Sequence, residues 1–94
     1  MTGGRKVTLL KNEAKMGRSK DADIILDHPM VSRNQAVLFQ KGILSKSWYV
    51  QKTGKAPMNV QHANESETVQ DEPVKLQNRD LITISTTILL VDLA

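Results

Sequence analysis

Apolar positions in this chain fall in short runs broken by turn formers and charge, and almost nowhere do they recur at helical spacing. The runs are RKVTLL (Arg5–Leu10), DIIL (Asp23–Leu26), AVLFQ (Ala36–Gln40), WYVQ (Trp48–Gln51), MNVQ (Met58–Gln61), PVKLQ (Pro73–Gln77), LITIS (Leu81–Ser85) and TILLVDL (Thr87–Leu93). They are short and rich in β-branched residues, as strands require. Between them lie NEAKMGRSKDA, DHPMVSRN, KGILSKS, KTGKAP, HANESETVQDE and NRD, all turn-forming or charged and all read as connections. With no helix to make crossovers, eight or more such runs predict an antiparallel sandwich of two sheets or a small barrel. Its loops are then free to carry binding chemistry. The acidic tract ANESETVQDE reads as a solvated surface loop, and the strongly apolar final run is expected to pair with an inner neighbour instead of lying at an edge. Trp48 and Phe39 are expected to anchor the core between the sheets. Met16, Met30 and Met58 suit gap filling or contact equally.

Length and composition narrow this picture. The 94 residues suit one domain, residues 1–94, expected to be a module of a longer protein. No apolar run approaches the roughly 18 residues of a spanning helix, and the amino terminus lacks a secretory pattern, so no membrane partner is expected. The chain has no cysteine, which removes disulfides and thiolate metal sites and fits a reducing, intracellular setting. The acceptor-like NES at Asn64–Ser66 is then read as a chance match. Net charge is +3, but residues 1–47 carry +5 and residues 48–94 carry −2. That surplus favours an anionic partner for the amino-terminal half.

The basic half also holds the most specific chemistry. Gly17-Arg18 precedes SKDADIIL, and Ser32-Arg33 precedes NQAVLF, so two arginines and a serine stand at the mouths of two strands. Arginine presents a planar fork of donors that grips phosphate through two parallel bonds, and a serine hydroxyl can donate a third. On the residues alone, Arg33 could equally pair with Asp23 or Asp27 at the surface.

Taken in order, Gly17-Arg18, SKDADIIL, VSRNQAVLF, WYV and VKLQNRDLITI resemble the forkhead-associated (FHA) domain over about Lys15 to Leu93. The resemblance implies an all-β, FHA-type (SMAD/FHA) antiparallel β-sandwich of about eleven short strands. It further implies a reader of phosphothreonine-containing segments, with Arg18 as phosphate clamp, Ser32 donating to the phosphate, Arg33 as a second cation and Asn34 at the pocket edge. Lys55 falls where the family often uses a threonine or serine on the phosphate, and an ammonium there could act as a point charge. Gln35 stands in place of a histidine that supports the loop from behind. Ala56 and Pro57 replace an asparagine and a glycine of the family's peptide-holding loop. Asn78-Arg79-Asp80 takes the place of the family's Gly-Asp turn. The resemblance implies a nuclear setting, in signalling or DNA-damage response.

Other classes fit less well. The chain has no nucleophile-elbow, Walker or His-Glu-x-x-His motif and is not expected to be an enzyme. No cofactor is expected, nor a metal site, since His28 and His62 stand far apart without ligand spacing. A single Trp, Tyr and Phe leave few stacking platforms, so nucleic acid is not the expected partner. The alternative within the same fold is a protein-protein or dimerisation platform that has lost phosphate recognition. A homodimer is compatible with either reading.

Overall fold

Alternation of buried and exposed side chains sets the architecture of the computed structural model, which describes residues 12–92. In β1 (Glu13–Gly17) Ala14 and Met16 turn inward while Glu13 and Lys15 face solvent. The same period of two runs through β3 (Ala36–Lys41), β5 (Met58–Gln61) and β8 (Leu81–Ile84), which bury Ala36 and Leu38, Met58 and Val60, and Ile82 and Ile84. Four short strands and one longer one complete the set: β2 (Ile24–Ile25), β4 (Ser47–Lys52), β6 (Ser66–Val69), β7 (Val74–Lys75) and β9 (Thr87–Leu90).

The strands form two sheets, in the orders β2-β1-β3-β4-β7 and β6-β5-β8-β9. All pairings are antiparallel except β1 with β2, which is parallel. The inner faces of the sheets meet over one core that includes Met16, Leu26, Val50, Met58, Ile82 and Ile84. This is the expected all-β sandwich. Nine strands lie among the described residues where about eleven were expected. The RKVTLL run lies outside the described residues.

Several expectations need correction. The NEAKMGRSKDA stretch, read as a connection, contains β1, and the acidic tract read as a loop contains β6. Of the PVKLQ run only Val74–Lys75 is strand. β9 pairs with the inner strand β8 as expected, but among the described residues it is the outermost strand of its sheet. Phe39 is not a core anchor. Its neighbour Leu38 points inward, so Phe39 points out and stacks on Tyr49 across β3 and β4, with centroids 5.5 Å apart. Trp48 does pack against the core, but only partly buried.

A polar cluster pins the second sheet. His62 lies between two carboxylates, with Nδ1 2.8 Å from Asp80 Oδ2 and Nε2 2.7 Å from Glu67 Oε2. Asp80 is buried, and the same Oδ2 accepts the Gln77 N–H at 2.7 Å. The turn before it bends through Arg79 at φ 73°, the left-handed conformation that the glycine of a Gly-Asp turn adopts at no steric cost. The hydrogen bond to Glu67 is the chief cause that raises the His62 pKa above its ordinary 6.5. Burial opposes it, and Asp80 adds to it.

Raising a histidine's folded pKa stabilises the protein fully below the unfolded value, and the stabilisation is lost as pH rises through the folded value. The neutral ring has one N–H for two carboxylates. The melting temperature is therefore expected to fall as pH climbs above about 6.5, and His62→Gln should flatten that fall. Parallel thermal melts of the two proteins across that range, with equal slopes, would show that the cluster contributes nothing.

Candidate functional site

Three loops meet at one end of the sandwich: Arg18–Asp23 after β1, Leu26–Gln35 after β2 and Thr53–Pro57 after β4. Backbone bonds join the first two, since the Arg18 N–H donates to the Ser32 carbonyl at 3.0 Å and the Ser19 N–H to the Arg33 carbonyl at 3.2 Å. Their approach is close enough that a Cβ on Gly17 would overlap the Arg33 carbonyl oxygen and lie 2.7 Å from its carbon. Gly54 brings the third loop near as well, where an added Cβ would lie 2.6 Å from Ser32 Cβ and 2.8 Å from Gln35 Oε1.

Gln35 ties all three together. It is fully buried; its Oε1 accepts the Ser32 N–H and its Nε2 donates to the Ala56 carbonyl, both at 3.0 Å. Its backbone N–H donates to the Met16 carbonyl, and its carbonyl accepts from Thr53 and Gly54, each at 2.9 Å. Glutamine thus does the loop-supporting work expected of it. Gln35→Leu keeps most of the volume but strands the part-buried Ser32 N–H and the buried Ala56 carbonyl, the latter worth about 1–3 kcal/mol when unsatisfied. An expected loss of about 2–4 kcal/mol can be read from chemical denaturation, and a loss below about 0.5 kcal/mol would contradict the bridge.

The five residues singled out from the sequence all fall in this cluster. Arg18, Arg33, Asn34 and Lys55 are exposed and Ser32 is half-buried. Ser32 Oγ accepts the Lys55 N–H at 2.9 Å, which occupies one lone pair and leaves the hydroxyl proton free to donate outward. The Asn34 carbonyl accepts from Thr53 Oγ1 at 2.9 Å, which fixes the second loop against the third. No ion pair joins Arg18, Arg33 or Lys55 to a carboxylate of the described residues. Asp23, one of the alternative partners for Arg33, instead accepts the Lys15 N–H. Ala56 is buried in the core, and its Cβ is not available to a ligand.

Sequence reading missed two supports. His28 Nδ1 accepts the Met30 N–H at 3.1 Å, so its Nε2 carries the proton and donates to Thr86 Oγ1 at 3.0 Å. This bond ties the Ser32 loop to the β8–β9 turn, 58 residues on, a separation no local pattern reveals. The second is the packing of Gly54 against Ser32, for which a lone glycine between two lysines gives only a turn signal. Beside these loops a groove of about 580 Å³ runs between Lys52, Gly54 and Pro57 on one side and Thr68, Gln70 and Asp71 on the other. No His/Cys/Asp/Glu group among the described residues could hold a metal ion.

The FHA domain family matches this chain over residues 14–85, which takes in all three loops. The chain belongs to the FHA domain family. Among solved structures, this FHA domain is similar to the Slr1951 protein of Synechocystis sp., with TM-score 0.71, 24% identity and coverage of 89% of this chain and 81% of that one. It is similar to Mycobacterium tuberculosis EmbR in complex with a low-affinity phosphopeptide, with TM-score 0.67 and 26% identity. That match covers 92% of this chain but 22% of EmbR. It also shares its fold with the MEK1 FHA domain in complex with a HOP1 phosphothreonine peptide, with TM-score 0.69, 17% identity and coverage of 87% and 81%. Among curated proteins, none matches the chain in sequence.

Proposed function

We propose that this FHA domain binds phosphothreonine-containing segments of partner proteins, without catalysis. One observation carries the reading. Arg18, Arg33 and Lys55, none paired with a carboxylate of the described residues, lie on the loops whose backbones pack around Ser32, and the Ser32 hydroxyl proton is left free. A phosphate of charge about −1.5 to −2 offsets the mutual repulsion of such cations and accepts from each. Arg18 is the main clamp, Arg33 the second cation, Ser32 the neutral donor and Lys55 the substitute for the family's hydroxyl. Asn34 borders the pocket. The EmbR and MEK1 complexes, both with phosphorylated peptides, support the same reading.

The groove between Lys52 and Asp71 offers flanking peptide residues a course beside the phosphate loops. Affinity should be modest, because a short extended peptide loses freedom on binding and gains mainly one charge cluster. Amide shifts of the labelled domain, titrated with a degenerate phosphothreonine library, its unphosphorylated twin and free phosphate, test this. Shifts at Gly17, Arg18, Ser32 and Arg33 confined to the phosphorylated library are expected. Their absence there would overturn it.

The second reading, a platform indifferent to phosphate, is favoured by the buried Ala56 in place of the family's peptide-holding asparagine. It predicts a partner bound equally with and without phosphate. On the family resemblance alone, the proposal extends to nuclear signalling, DNA-damage response included, for a module of a longer protein. Localisation of the tagged full-length protein tests that part.

A further inference from the structure

The opposite end of the sandwich carries the most exposed apolar side chains among the described residues. Ile43 and Leu44, in the β3–β4 turn, are 98% and 100% exposed. Burial of such residues is favourable, and a turn needs neither of them, since polar residues serve there as well. The turn has a defined shape. Gly42 holds φ +146°, and a Cβ there would overlap the Ser45 carbonyl oxygen. Lys41 and Lys46, both exposed, flank the tip. Behind them on the outer face of the same hairpin stand the stacked, partly exposed Phe39 and Tyr49, while Trp48 packs inward against the core.

The order from the tip inward is therefore aliphatic, then cationic, then aromatic. A pocket in a partner protein has no need of that layering. A bilayer surface does, since aliphatic tips enter the acyl boundary, lysines meet anionic headgroups and aromatic rings sit at interface level. We propose that the Gly42–Lys46 tip is a peripheral docking point for an anionic lipid surface. Among the described residues, the only carboxylate that strand pairing places on the outer face of this sheet is Glu13, opposite Phe39 and behind the lysines. The absence of a spanning run, on which the expectation of no membrane partner rested, does not bear on a contact of this kind. β3 and β4 hold the tip about 20 Å from the phosphate loops, by strand rise over six residues. The domain can therefore hold a peptide and lie on lipid together. Two aliphatic side chains give weak attachment, suited to adding avidity to a second contact.

The test is co-sedimentation of the 94-residue chain with phosphatidylcholine vesicles, with and without about 30% phosphatidylserine. Partitioning is expected only onto the anionic vesicles. Ile43→Ser with Leu44→Ser should lower it at least about tenfold, and Lys41→Gln or Lys46→Gln about fivefold each. The melting temperature and phosphopeptide shifts of the serine variant should stay as they were, so this result is independent of the phosphate site. No partitioning of the wild type, or equal partitioning of the serine variant, overturns the proposal. So does a concentration-dependent dimer, removed by the serine substitutions, in protein that ignores vesicles; that outcome assigns the tip to a second copy.

Discussion

Gly17→Ala is expected to destabilise this protein strongly. The new Cβ would overlap the Arg33 carbonyl oxygen, lie 2.7 Å from the carbonyl carbon and 3.0 Å from the Gln35 nitrogen. All three are backbone atoms, so no side chain can swing aside to make room. Relief requires moving the Ser32 loop away from β1. That movement strains or breaks the bonds from Arg18 to Ser32, from Ser19 to Arg33 and from Gln35 to Met16. Overpacking costs typically 1–3 kcal/mol, and each weakened bond adds about 0.5–1.5 kcal/mol. A total loss of about 3 kcal/mol or more corresponds to a fall of at least about 12 °C in melting temperature for a domain of this size. Thermal unfolding followed by circular dichroism measures it. A melting temperature within about 2 °C of wild type would mean that the two loops are not packed as described.

How far such contacts could be foreseen differs along the chain. The clustering of the candidate loops was legible because its order is local: Gly17-Arg18 and Ser32-Arg33 each precede a visible apolar run, and family spacing links them. β6 was not legible because it is an edge strand that buries only Val69, so its other residues are free to be acidic and look like a loop. β1 escaped notice for a related reason: its inward residues are Ala14 and Met16, neither a strong strand former. The continuous apolar run AVLFQ hid which parity faces the core, and only pairing with β4 turns Phe39 outward. Gln35 was visible as a substitute support. Its span across three loops, the His28–Thr86 bond and the approach of Gly54 to Ser32 are all long-range, and no periodicity encodes them.

The second large effect separates binding from folding. Arg18 is exposed and makes no ion pair with a described carboxylate, so removing its side chain takes little from the native state. Its backbone N–H still reaches the Ser32 carbonyl in Arg18→Ala, which keeps the loop in place. The melting temperature is expected to stay within about 2 °C of wild type. Phosphothreonine-peptide affinity is expected to fall by at least about 2 kcal/mol, about thirtyfold in Kd, because a charged partner of the phosphate is lost in a site where few other bonds compensate. Arg18→Lys should recover only part of this, since an ammonium keeps the charge and gives up the two parallel bonds of the guanidinium. Full recovery by lysine would mean that Arg18 acts through field alone. Unchanged affinity of the alanine variant, with phosphate dependence intact, would move the clamp to Arg33 and Lys55. If neither the wild type nor the variant distinguishes the phosphorylated peptide, the platform reading replaces the reader, with the buried Ala56 as its structural ground.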